Sequence, residues 1–153
     1  FNLYYVDKDN KRHRPIMIHR TVFGSIERFL GILIEHFAGK FPLWLTPVQA
    51  IVLPINDDLV PYSREISEIL TNAGMRVEVD SRTESLNKKV REAQLQYVPL
   101  ILTIGGKEKE AGTLSVRTLD GNVKYGVSHQ SFLDTVLPHI LNRELSLDIF
   151  GNK

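Results

Sequence analysis

The sequence predicts an α/β fold: a mixed five-stranded sheet with three helices, preceded by a β-hairpin and a helix. Three observations carry this. From Val48 onward, apolar runs alternate with stretches of helical period in the order β-α-β-α-β-β-β-α. Asp120-Gly121 separates two alternating runs, which marks a late hairpin and adds antiparallel strands. Before residue 40, a charged turn divides two short apolar runs, and one amphipathic stretch follows.

Phe1–Val6 and Pro15–His19 read as strands, with Asp7-Lys8-Asp9-Asn10 as the turn, because Asp and Asn tolerate turn geometry. Lys8, Lys11, Arg12, Arg14 and Arg20 against Asp9 make this region basic. Ile26, Phe29, Leu30, Leu33, Ile34 and Phe37 recur at helical spacing, with Ser25 as N-cap and Gly39 as the stop. Residues 40–47, holding Pro42, Trp44 and Pro47, read as a linker. The expected organisation is therefore 1–45, then 46–147 as a separate domain, then a tail at 148–153.

Val48–Ile55 is dense enough in apolar residues for a strand buried on both faces. Pro61 opens a helix carrying Tyr62, Ile66, Ile69 and Leu70, and Asn72-Ala73-Gly74 ends it. Met75–Val79 alternates as a strand, and Leu86–Gln96 has helical spacing. Val98–Ile104 is a second buried strand, closed by a turn at Gly105-Gly106. Thr113–Thr118 and Val123–Val127 flank the hairpin turn. Residues 131–143 make the last helix, which Pro138 is expected to kink or split, and the chain from Glu144 has little to hold it.

Composition narrows the function classes. The 153 residues suit one domain, or one domain plus a piece of another. Lys plus Arg is 19 and Asp plus Glu is 18, a net charge of +1, so nucleic acid would not be bound by bulk charge. A local basic face stays open. With no cysteine, the chain has neither disulfides nor thiolate metal sites, and a reducing, cytoplasmic setting is expected. No apolar run approaches the ~20 residues that span a bilayer, so no membrane association is expected. The start at Phe1 rather than Met reads as a piece of a longer polypeptide.

Few residues announce chemistry by spacing alone. Gly24 before a helix and Arg28 one turn in would suit an anion, though spacing alone favours a turn glycine and a solvated arginine. His19 lacks the companions that a zinc site requires. No nucleophile elbow or phosphate loop is present, and Ile55-Asn56-Asp57-Asp58 stands where a nucleotide-binding α/β domain would carry glycines. Arg82, Lys88, Lys89, Arg91, Lys107, Lys109 and Arg117 read either as one face for RNA phosphates, with Glu108 reading base donors, or as solvated charges.

The stretch Arg14-Pro15-Ile16-Met17-Ile18-His19-Arg20-Thr21-Val22-Phe23-Gly24-Ser25-Ile26-Glu27-Arg28-Phe29 resembles motif 3 of class II aminoacyl-tRNA synthetases in its threonyl form. The likeness continues through Phe41-Pro42-Leu43-Trp44-Leu45-Thr46-Pro47. Asn72-Ala73-Gly74, Lys89-Val90-Arg91-Glu92, Gly106-Lys107-Glu108 and Val116-Arg117-Thr118 then resemble the anticodon-binding domain of the same family.

The resemblance implies a threonine–tRNA ligase that activates threonine with ATP and Mg and transfers it to tRNA. By residue, it implies that Arg28 and Gly24 contact ATP, Arg28 catalytically, and that His19 is one of three zinc ligands. It implies further that Arg91, Glu108 and Arg117 read the anticodon, because guanine offers acceptors to an arginine and hydrogens to a carboxylate. Thr83 joins that set where some members carry an asparagine, with fewer hydrogen-bonding groups to offer. The family's other zinc ligands and its motifs 1 and 2 are not in this chain, so the chain alone is not expected to be active. The full protein is expected to be a homodimer. The alternative is a non-catalytic module that keeps the anticodon-binding fold for RNA or protein contact.

Overall fold

The computed structural model describes residues 2–150. Phe1, at the start of the first expected strand, and residues 151–153 of the expected tail lie outside the described residues. The chain divides into two compact units, Phe1–His36 and Phe37–Lys153.

The first unit holds a two-stranded antiparallel ladder of β1 (Tyr5–Val6) and β2 (Arg12–His13). Its turn is the expected one: Asn10 adopts φ +59, and its N–H donates to Asp7 O at 2.9 Å. The second strand is not where the apolar alternation suggested. Residues 15–19 form no strand; Pro15 has no N–H to give a ladder, and Ile16 and Ile18 are exposed. Alternation makes a strand only where a neighbouring strand accepts its hydrogen bonds. Helix α1 (Ile26–Phe37) forms as expected, capped by Ser25 Oγ accepting from Arg28 N–H, yet none of its residues is buried.

The second unit is built on a five-stranded sheet in the order β4 (Val77–Val79), β3 (Ala50–Pro54), β5 (Leu100–Ile104), β6 (Thr113–Thr118), β7 (Val123–Ser128). β3 pairs in parallel with β4 and β5, and the β5-β6-β7 ladder is antiparallel, which is the mixed sheet the sequence predicted. Side chains alternate between two faces. Ala50, Val52, Leu100, Leu102, Ile104, Leu114 and Val116 share one core with Ile66 and Leu70 of α2 (Val60–Asn72) and Phe132, Leu133 and Val136 of α5 (His129–Leu141). Ile51, Leu53 and Ile101 pack on the other face, against Ala93 of α3 (Leu86–Leu95). The central strands β3 and β5 are therefore apolar at nearly every position.

Three local expectations change. Gly105-Gly106 does not simply turn; it opens a short helix, α4 (Gly106–Ala111), which ends at Gly112 with φ +63. α5 runs unbroken through Pro138, whose carbonyl still accepts from Asn142 N–H at 2.9 Å. Residues 145–150 are also held. Ile149 is buried, Leu147 and Phe150 pack on the main core, and Glu144 pairs with His139.

The approach to the sheet is tied down by one arginine. Arg76 donates to the carbonyls of Trp44, Thr46 and Pro47, while its own N–H meets Gln49 Oε1 at 2.9 Å. Gln49 is fully buried, and its Nε2 donates to Leu43 O at 3.0 Å.

Candidate functional site

The two faces of the sheet are covered unequally. α2 and α5 cover one face, whereas the other has α3 over β3 and, among the described residues, only the short α4 against β6. A cleft of about 240 Å³ results, lined by Ile55, Leu86, Asn87, Val90, Thr103, Glu108, Ser115, Arg117, Val123 and Tyr125. Its wall is α3, and its floor is the outward face of β5, β6 and β7.

Two residues singled out in the sequence, Glu108 and Arg117, meet in this cleft. Arg117 sits mid-ladder on β6, opposite Ile101 on one side and Val123 on the other, so its base is fixed by two strands. Glu108 is the third residue of α4. Its Oε2 accepts from Gly105 N–H at 3.1 Å, closing one half of a capping box. Its Oε1 accepts from Ser115 Oγ at 2.8 Å.

Burial pushes the Glu108 carboxyl up. The Ser115 hydroxyl, the N–H groups of Glu108 and Gly105 and the charge of Lys107 outweigh that and hold it below the usual range. Glu108 is therefore an anion at neutral pH, and a carboxylate with two acceptor positions used has others to offer.

Two side-chain ends approach Gly105 closely. A Cβ there would lie 2.7 Å from Glu108 Oε2 and 2.9 Å from Ile55 Cδ1.

The other two predicted readers lie outside the lining. Arg91 is exposed on α3 one turn beyond Asn87, so it shares the helix edge that borders the cleft. Thr83 is exposed before α3, with its hydroxyl 3.4 Å from Asp57 Oδ2.

Part of the cation set left open between one RNA face and solvated charges is tied up within the domain. Lys89 is buried and donates to Asp80 O at 3.1 Å. Arg82 binds Asp80 Oδ2 at 2.6 Å and Glu92 Oε2 at 2.7 Å, and Lys88 binds Glu84 at 2.6 Å. Hydrogen bonds from Arg82 hold the Asp80 carboxyl below the carboxylate range. These cations brace the start of α3.

Sequence reasoning missed Ser115, Asn87, Tyr125 and α4 itself. The signal for α4 was present: glycine, an acid three residues on, and Gly112 after it.

In the first unit, Gly24 has φ +69 with open space around it, and Arg28 and His19 are exposed. Among the described residues no three His, Cys, Asp or Glu side chains come together to hold a metal. No described helix is long and apolar enough to cross a membrane.

An α/β domain that leaves half a sheet face open, with an ionised carboxylate and an arginine fixed upon it, is a binding domain. Residues 49–138 match the family model described as Anticodon binding domain, and the chain belongs to that family. It is 64% identical over 147 residues to the threonine–tRNA ligase of Desulfatibacillum aliphaticivorans, covering 96% of this chain and 23% of that protein. It is 44% identical over 151 residues to that of Thermotoga maritima, covering 99% and 24%. The chain thus spans about a quarter of the length of the curated relatives it matches. Among solved structures, it resembles the RNA binding domain of threonyl-tRNA synthetase from Cryptosporidium parvum, with TM-score 0.67 and 32% identity over 97% of this chain and 37% of that one.

Proposed function

We propose that this chain supplies anticodon recognition to a threonine–tRNA ligase, an ATP-dependent enzyme that activates threonine and transfers it to tRNA. One observation carries the reading: Glu108 and Arg117 line one open cleft, with Glu108 held ionised by Ser115. An unstacked guanine offers N1 and N2 hydrogens to a carboxylate, and O6 and N7 to an arginine. Arg91, at the cleft's border, serves the RNA backbone or a neighbouring base, and Thr83 has only a hydroxyl to add. The 64% identity to a threonine–tRNA ligase along nearly the whole chain favours this over a free-standing RNA- or protein-binding module.

In the same reading, Arg28 offers its fixed charge to the phosphoryl oxygens of ATP, and Gly24 lets the nucleotide approach the helix start. ATP with Mg would supply the activated phosphate. His19 alone does not make a zinc site; a zinc ion held by it needs its other ligands from elsewhere in the parent polypeptide. A homodimeric, cytoplasmic parent belongs to this reading.

The test is binding of the chain to a threonine tRNA anticodon stem-loop, with and without its middle guanine replaced, at two salt concentrations. Weaker binding on replacement, abolished as a difference by Glu108→Ala or Arg117→Ala, is the expected result. Equal, salt-sensitive binding of both RNAs would mean phosphate attraction alone and would defeat the assignment.

A further inference from the structure

The β6-β7 ladder contains one irregularity, and it lies at the cleft. Leu114 pairs with Val127 and Val116 with Lys124, so Ser115 alone faces both Tyr125 and Gly126. This is a β-bulge, and Gly126 has φ +68, a conformation that L side chains rarely adopt. Bulges of this kind re-aim side chains.

Here the effect can be read residue by residue. Val123 and Tyr125 line the cleft, while Lys124 and Val127 line a small hollow on the opposite face with Val116, Phe132 and Val136. In an unbulged strand, Val127 would share the face of Val123 and Tyr125. The extra residue lets Val127 reach the core while Tyr125 stays over the cleft. Tyr125 keeps 72% of its surface exposed, directly across from the serine that holds Glu108.

We infer that Tyr125 is a base-binding residue of this site, a platform on which the base held by Glu108 and Arg117 stacks. This rests on the anticodon reading above and deepens it. A flat ring in a cleft of about 240 Å³ suits one planar base rather than a larger ligand. Glu108 and Arg117 approach such a base at its edge, which leaves its face for the ring of Tyr125. Ile55, Leu86, Val90 and Val123 add apolar surface to the lining, so part of the base leaves water as it stacks.

The experiment is a cycle with the full chain and two RNAs: the threonine anticodon stem-loop, and the same loop with the middle position abasic. Tyr125→Ala should weaken binding to the guanine loop by about 5- to 100-fold, and Tyr125→Phe should stay within about twofold of wild type. On the abasic loop, Tyr125→Ala should change nothing. Gly126→Ala, which strains the bulge, should reproduce the loss on the guanine loop. Unchanged binding by Tyr125→Ala, or equal losses on both RNAs, would overturn the assignment. Glu108→Gln in the same assay separates the two claims. If it abolishes the preference for guanine while Tyr125→Ala is silent, the anticodon reading stands and stacking falls. If the wild type shows no preference for guanine, both fall together.

Discussion

The hydroxyl of Ser115 donates to Glu108 Oε1 at 2.8 Å, joining the middle of β6 to the first turn of α4. Ser115 is buried and Glu108 half-buried, so this bond is partly shielded from solvent. It both orients the carboxylate and favours its ionised form. Ser115→Ala should cost about 1 kcal/mol of stability. It should also loosen the preference for guanine, whereas Ser115→Thr, which keeps the hydroxyl, should retain most of it. Urea denaturation alongside stem-loop binding checks both; full guanine preference in Ser115→Ala would show that Glu108 is positioned by other means.

Gly105→Ala tests the same carboxylate from the other side. The new methyl group would meet only the ends of two flexible side chains, Glu108 Oε2 and Ile55 Cδ1. Both can swing away, so the expected loss of stability is small, about 1 kcal/mol. The carboxylate must move, and base discrimination should fall more than stability does. Thermal melts and paired-RNA titrations distinguish the two; a large loss of stability with intact discrimination would contradict this.

Acid should act on recognition through Glu108 and on stability through Asp80. Both carboxyls lie below their ordinary range in the folded protein. A depressed group stabilises fully above its unfolded pKa, and that stability disappears as pH falls through the folded value. Guanine preference should therefore hold from pH 7 to 5 and fail only below the ordinary carboxylate values of about 4. Asp80→Asn should flatten the acid limb of the stability profile in that same low range. A midpoint for recognition near neutrality would exclude Glu108 as its titrating group.

Gln49 offers a test of the fold without touching the cleft. Its side chain accepts from Arg76 N–H and donates to Leu43 O while fully buried. Gln49→Met leaves both backbone groups without these partners, and the expected cost is about 2–4 kcal/mol. Chemical denaturation measures it directly. Guanine preference, measured where the variant remains folded, should be unchanged.

The strands and the long helices were legible because burial writes itself into sequence. β3 and β5 are buried on both faces and read as continuous apolar runs, while α2, α3 and α5 show helical spacing. The strand expected at Pro15–His19 failed for the opposite reason: alternation was present and pairing was not. The six-residue α4 is too short to show a period, and only its glycine–acid–glycine pattern marked it. The end of the chain looked loose because Leu147, Ile149 and Phe150 are few and scattered, yet each finds a place on the core. Glu108 and Arg117 were legible as members of one face or as solvated charges; the strand pairing that brings these two into one cleft is not a local pattern.

The sequence by itself determined the mixed sheet, its order of elements and the family, since periodicity, turn residues and motif strings are local properties of the chain. It also set the supply of charge, nearly balanced and without cysteine. Only the tertiary structure decided which charges are available. Lys89 and Arg82 were drawn into bracing α3, while Glu108 and Arg117 were placed in the cleft. It decided as well that Val127 turns to the core while Tyr125 stays over that cleft, because the ladder carries a bulge at Gly126. Register and ion pairing depend on partners far along the chain, and a side chain's role follows from which partner it meets.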